Sequence, residues 1–206
     1  MKALVLLLLI TTVSCKDNLS ELAASFGVDE STVIIQKLQG TYKGCHPSAH
    51  AGYYLSFDSY ISGKNYSLKY FLTADSTCVS GALSITEFIF EIDQASYAIS
   101  GNTEDINVDL KMKNLRTTFI HPGYLPMNYC GLTDWAVGVP KELAGVPCFG
   151  LYSDYDVHNS SFRAVGDSEF QTMKIKASSL VVSMGYTQSG DSPSERVLAN
   201  HELSKL

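Results

Sequence analysis

Four cysteines, Cys45, Cys78, Cys130 and Cys148, are the side chains of this sequence best equipped for covalent chemistry. Four thiols allow three connectivities, and sequence alone leaves all three open. Local pairing, Cys45 with Cys78 and Cys130 with Cys148, is favoured because Cys45 ends a first strand and Cys78 lies beyond a hairpin that returns the chain. Zinc binding is the sharper alternative, but there is no Cys-x-x-Cys spacing of the kind a structural site uses, so no metal is expected. His46 and His50 stand four residues apart, yet Pro47 separates them and no third ligand is close, so they read as an exposed loop pair. His121, His158 and His201 are isolated in the sequence. Asp154, Asp156 and Asn159 form an acidic cluster that lacks the Gly turn and terminal Glu of a calcium loop, and reads as solvated loop. No Gly-x-Ser-x-Gly elbow, His-Glu-x-x-His helix or phosphate-cradling glycine loop is present. The sequence nominates no catalytic residue and no cofactor, and the expectation is a protein that is not an enzyme.

The fifth cysteine belongs to the leader. Met1-Lys2 is followed by an apolar run from Ala3 to Ile10 and then Thr11-Thr12-Val13-Ser14-Cys15, the layout of a secretory signal. The apolar run is too short to span a bilayer, which takes about 20 residues. Thr12-Val13-Ser14-Cys15 resembles the lipobox of bacterial lipoproteins, with Thr12 where that family favours Leu. The resemblance implies that Cys15 is lipidated and that the protein is exported to the bacterial cell envelope and anchored at the outer membrane. Lys16, rather than Asp, follows the cysteine, so the retention signal for the inner membrane is missing. Acyl chains contribute about 0.8 kcal/mol per buried methylene, so multiple acylation anchors firmly without a helix. Ordinary cleavage and secretion in soluble form is the alternative.

The elements that position these groups are mainly strands. The chain is 45% hydrophobic and 17% charged, which excludes a disordered solvating protein. Its net charge of -6 and lack of a polybasic run exclude nucleic acid as the main partner. Twelve Tyr and nine Phe against one Trp favour sheet. Asp17 to Phe26 reads as a short amphipathic helix, and a second short turn runs from Asp29 towards Leu38. Beyond Gly40 the period becomes two. Tyr66, Leu68, Tyr70 and Leu72 share one face against Ser67, Lys69 and Thr73 on the other, and Ile106, Val108, Leu110 and Met112 alternate with polar residues without a break, the cleanest strand of the sequence. Ser62-Gly63-Lys64-Asn65 reads as a turn. Further strands are expected over Ala82 to Ile92, Tyr97 to Ile99, 150–152, 162–165, Phe170 to Ala177 and Leu180 to Tyr186, with a last segment from Glu195 to Leu203. Between His121 and Gly150, Pro and Gly break the pattern. Lys141-Glu142-Leu143 could support one helical turn there, and Cys130 and Cys148 would pin the segment.

Short alternating strands joined by tight turns point to a mainly β fold, an antiparallel up-and-down β-barrel with a short N-terminal helix, with a β-sandwich as the alternative. The expected organisation is a signal peptide with lipobox over 1–15, a tether and short helix over 16–37, and the barrel over 38–206. The two clean rows, Tyr66, Leu68, Tyr70, Leu72 and Ile106, Val108, Leu110, Met112, would wall either an apolar ligand cavity or a solid core.

Leu38-Gln39-Gly40-Thr41-Tyr42 is similar to the Leu-x-Gly-x-Trp signature that opens the lipocalins and related calycin barrels, with Tyr42 in place of Trp. Ser153-Asp154-Tyr155 resembles the middle motif of that family. The resemblance implies barrel closure by Gly40 and Tyr42, with Arg196 laid across the aromatic ring. Gly40-Thr41-Tyr42 with Cys45 and Cys78, then Cys130-Gly131, Trp135 and Cys148, also resembles a group of bacterial lipoproteins of lipocalin-like fold that carries no assigned activity. The expected partners are a membrane, reached through the lipid anchor, and a small apolar ligand. The alternative is an envelope lipoprotein with a filled core whose 121–150 loop contacts an unidentified envelope protein.

Overall fold

The computed structural model describes residues 27–48, 51–99, 102–125, 129–147, 162–182, 192–194, 196 and 201–206. Helix α1, Glu30–Leu38, starts where the Asp29 carboxylate accepts the Thr32 amide at 2.9 Å, satisfying a donor of the first turn. It buries Val33, Ile34, Ile35 and Leu38. Nine strands follow: β1 Gly40–Pro47, β2 Tyr54–Ser62, β3 Asn65–Thr73, β4 Ala82–Ile99, β5 Asn102–Phe119, β6 Lys141–Glu142, β7 Ser168–Ile175, β8 Ser179–Val182 and β9 His201–Lys205.

Eight of these strands close an antiparallel barrel in the order β1-β2-β3-β4-β5-β7-β8-β9, and β9 returns to β1. Each strand therefore pairs with its neighbour in the chain, the up-and-down order expected from the sequence, and closure leaves no open edge within this ring. The turn between β2 and β3 is reduced to Gly63-Lys64, with Gly63 at φ 56°, the left-handed conformation that two-residue hairpins require. β4 and β5 form one long hairpin. β7 pairs with Asp105–Lys111 of β5, and β6 pairs beyond it at Arg116 and Thr117.

Side-chain alternation separates the two faces. Tyr66, Leu68, Tyr70, Ile106, Val108, Leu110 and Met112 are buried inside, and Leu72 is half-buried towards one end. The outer face carries charge pairs across neighbouring strands: Lys43 with Asp58 at 3.3 Å, Lys69 with Glu87 at 3.0 Å, Glu87 with Arg116, and Lys113 with Glu91. A membrane-spanning barrel shows the opposite arrangement, an apolar belt outside. Among the described residues no helix is long and apolar enough to cross a membrane.

α1 lies against one end. The Ser31 hydroxyl accepts the Ala95 amide of β4, and the Gln39 side chain both accepts from the Gly63 amide and donates to the Gly63 carbonyl at the β2–β3 turn. Ile34 and Leu38 are fully buried in the same core as the strands. The other end carries the Cys45–Cys78 disulfide and the segment after β5. There Trp135 packs on Phe119 with ring centroids 4.6 Å apart and on Tyr129 at 5.9 Å, and Cys130 is disulfide-bonded, so this stretch is pinned as expected.

Several local expectations change. Lys141–Glu142 is a strand, because the β5 edge beyond β7 offers free backbone partners, and the Leu143 amide continues the pairing to the Leu115 carbonyl. Residues 162–165 are loop, with the Phe162 amide bonded to Val146. Ala82 to Ile99 is one strand with bulges. The proposed helix at 17–26 and the segment 150–152 lie outside the described residues.

Candidate functional site

The barrel interior is mainly apolar, and its buried polar side chains include Ser59, Thr86, Thr117, Glu169 and Gln171. β2 turns Leu55, Phe57, Ser59 and Ile61 inward, β3 turns Tyr66 inward, and from the far wall β7 turns Glu169, Gln171 and Met173 inward. Ser59, Tyr66, Glu169 and Gln171 are each at least 97% buried. Tyr66 stacks on Phe90 at 5.7 Å, which holds its ring in place. The Ser59 hydroxyl lies beside the Tyr66 hydroxyl without completing a hydrogen bond. Burial pushes the Tyr66 hydroxyl well above its ordinary pKa, the Glu169 charge adds to this, and the nearby Ser59 opposes it. Tyr66 is therefore a neutral hydroxyl at any physiological pH.

On β7 the Gln171 amide nitrogen donates to Glu169, and the Arg163 Nε lies 3.3 Å from the same carboxylate. Arg163 also donates from Nη1 to the Ser168 carbonyl at 2.9 Å, so its guanidinium is committed along β7. Three buried atoms remain without a hydrogen-bond partner among the described residues: Ser59 Oγ, Tyr66 Oη and Gln171 Oε1. Leaving a buried polar atom unsatisfied costs about 1–3 kcal/mol. Other buried hydroxyls avoid that cost. Thr86 and Thr117 bond each other at 2.9 Å, and Thr73 donates to the Ser80 carbonyl at 2.7 Å.

Nearer the disulfide end, His46, Phe57 and His201 form an aromatic cluster. The two imidazoles are 5.1 Å apart, and His201 stacks on Phe57 at 5.0 Å. His46 Nε2 is 2.9 Å from the Glu202 carbonyl. Burial first, and the neighbouring His46 second, lower the His201 pKa, so it stays neutral deeper into acid. His46 is thus a strand residue of the barrel wall rather than half of a loop pair. His201 meets it because β9 closes against β1. Among the described residues no group of His, Cys, Asp and Glu is placed to hold a metal ion.

The other sequence-derived sites are placed as follows. Cys45 and Cys78 are bonded, with Cα atoms 5.8 Å apart. Cys15, Cys148, His50, His158 and Ser153-Asp154-Tyr155 lie outside the described residues. Gly40 and Tyr42 sit at the barrel end closed by α1, where the Tyr42 hydroxyl donates to the Leu38 carbonyl at 2.8 Å. Gly40 takes φ 148°, a backbone conformation that residues with side chains rarely adopt, so the position needs glycine. Arg196, however, does not cover Tyr42. Tyr42 faces inward, whereas Arg196 lies on the outer face of β5 and β7, over Phe170 at 5.5 Å and bonded to Asp109 at 2.6 Å and to the Val108 carbonyl. The cation near the Tyr42 ring is Lys205 at 5.6 Å, brought there because Lys205 and Tyr42 are register partners.

Sequence reasoning set Tyr66 in an inward row but missed Ser59, Glu169 and Gln171. The β7 sequence carries apolar residues in both phases, Phe170 in one and Met173 in the other, so alternation alone cannot assign its inner face. A buried tyrosine next to a serine in the facing phase of β2 was the available signal. In comparisons with known proteins, no family model matches this sequence and no curated protein matches it.

Proposed function

We propose that this chain is an exported, lipid-anchored envelope protein whose barrel binds a small, mainly apolar ligand between its walls. One observation carries the binding reading: three buried polar atoms, on β2, β3 and β7, have no partner, while other buried hydroxyls are bonded. Folding leaves such groups unpaired when a ligand or an ordered water completes them. The inward rows on β3 and β5 supply apolar surface around them, and eight-stranded barrels have room for side chains or one small ligand. The leader and the Cys45–Cys78 bond support export, since disulfides persist in oxidising compartments. A second reading, an interaction lipoprotein with a filled core, draws on Ile120, Val137 and Val139, which are exposed at the disulfide end.

Native mass spectrometry of the protein purified from its host tests the binding reading. The expected result is a bound small molecule, lost on denaturation. A bare polypeptide mass, with no added stability from any amphipathic compound, would favour the filled core. Metabolic labelling with a fatty-acid analogue tests the anchor: label should enter the parent and be lost in Cys15→Ser. Equal labelling of both would defeat the lipoprotein reading.

A further inference from the structure

We infer that the Ser59, Tyr66 and Gln171 cluster selects the ligand by its head group, accepting a neutral hydroxyl or primary amide on an apolar chain and rejecting a carboxylate. This rests on the ligand-binding reading above and adds to it the chemistry of the end that enters the cluster. Each unpartnered atom has a defined capacity. Ser59 Oγ and Tyr66 Oη can both donate and accept. Gln171 Oε1 can only accept, and the nitrogen of the same amide already gives one hydrogen to Glu169. The occupant must therefore bring at least one N–H or O–H to Gln171, and it can take one from Ser59 or Tyr66. A hydroxyl or an amide does both, whereas a carboxylate has no hydrogen to give.

Charge works in the same direction. Glu169 is buried on the same wall, and its field already reaches the Tyr66 hydroxyl. Arg163 is held against Glu169 and the Ser168 carbonyl, so it is not a free cation for a second anion, which would lose its hydration without a partner. An alkylammonium head could donate to Gln171, but Arg163 already balances the Glu169 charge. Such a cation would lose its hydration without gaining a free anion.

Four ten-carbon probes test this by isothermal titration: decan-1-ol, decanamide, decanoate and decylammonium, at neutral pH with the mature full-length chain. The alcohol and the amide should bind at least about tenfold more tightly than the carboxylate and the ammonium, because a site built to hydrogen-bond one group discriminates strongly against those that leave its atoms unpaired. In Gln171→Met, which keeps length and removes the acceptor, the ratio should fall towards unity while chain binding persists. Ser59→Ala, a small change with little risk to folding, should reduce the same ratio by a smaller factor. Decanoate or decylammonium binding as tightly as the alcohol would overturn the inference, as would a ratio unmoved in both variants. Binding of all four probes without preference would sink head-group selection and leave the barrel reading standing. Binding of none would sink both.

Discussion

Two buried carboxylates stand on opposite faces of the same barrel and sit in different company. Glu87, on the outer face of β4, is 7% exposed, and Glu169, on the inner face of β7, is 3% exposed. Around Glu87 the bonding closes. Lys69 from β3 and Arg116 from β5 both reach it, and their own exposed side chains keep the rest of their charge in water. Around Glu169 it does not close. Its own charge is met by Arg163 and Gln171, but the groups gathered at the same level, Ser59, Tyr66 and the far side of Gln171, keep three atoms unsatisfied. The outer cluster is organised as a stabilising cross-strand brace. The inner one holds free hydrogen-bonding capacity in a place water reaches poorly, and the proposed binding reading rests on that difference.

The largest effect should come from breaking the brace. In the double variant Lys69→Met, Arg116→Met, Glu87 stays covered by neighbouring side chains and loses both cations. Stability should fall by about 2 kcal/mol, less than the 3–5 typical of a fully buried pair because both cations are partly exposed. Urea denaturation at low and high salt measures this. A loss below about 0.5 kcal/mol would mean that the outer carboxylate is as weakly held as an ordinary surface group.

The inner cluster should respond with the opposite sign. Tyr66→Phe removes an unpartnered hydroxyl and keeps the ring on Phe90, so the ligand-free protein should gain about 1 kcal/mol. Thermal melts of the delipidated, ligand-free variant provide the check. A clear loss of stability would show that the Tyr66 hydroxyl is satisfied in solution and that the contrast between the two faces is smaller than drawn.

Arg196 and Lys205 sharpen the contrast further, because the sequence suggested that one cation would do what the other does. Arg196→Ala should cost about 0.5–1 kcal/mol through its lost contacts to Phe170 and Asp109 on the outer face. It should leave the environment of Tyr42 unchanged, read by tyrosine fluorescence or by the ring resonances. Lys205→Ala should perturb Tyr42 and leave Phe170 as it was. The reverse pattern would restore the Arg196–Tyr42 closure expected from the lipocalin likeness.

Much of the barrel was legible because β5 alternates without a break and β3 does so up to Tyr70, so their inner rows could be read residue by residue. The turn at Gly63-Lys64 and the cross-link between Cys45 and Cys78 were legible for similarly local reasons. What escaped depends on the partner rather than on the strand itself. β7 has apolar residues in both phases, and its register with β5, which sets Phe170 opposite Asp109 on the outer face, turns Glu169 and Gln171 inward beside Leu110 and Val108. His46 and His201 look isolated in the chain and become neighbours only when β9 closes on β1. Lys141–Glu142 is a strand because of an unfilled stretch of β5, a fact about another element altogether. α1 contributes Ile34 and Leu38 to the shared core, which its short apolar stripe alone did not reveal.

The smallest effect concerns Asp75, a half-buried loop carboxylate whose bonds are satisfied, and it asks how much pairing contributes away from the core. In the β3–β4 loop its two oxygens accept from the Thr77 hydroxyl and amide, the Val79 amide, and the Ser80 amide and hydroxyl. The Thr77 hydroxyl bond is the largest cause, followed by the Thr77 amide, and together with Ser80 they hold the carboxyl well below the usual range. The loop they organise carries Cys78, which sits at φ 57°, a conformation that needs local support in a non-glycine residue. A folded pKa below the unfolded one stabilises above the ordinary Asp value of about 3.9, and the contribution disappears as pH falls through the depressed folded value. The melting temperatures of the parent and Asp75→Asn should therefore differ modestly at pH 7, keep most of that difference at pH 4, and converge only near pH 2 or below. If the difference is already gone at pH 4, the loop carboxylate titrates like a free one. Its hydrogen bonds would then be exchanging with water, and pairing in this loop would contribute nothing measurable to the barrel.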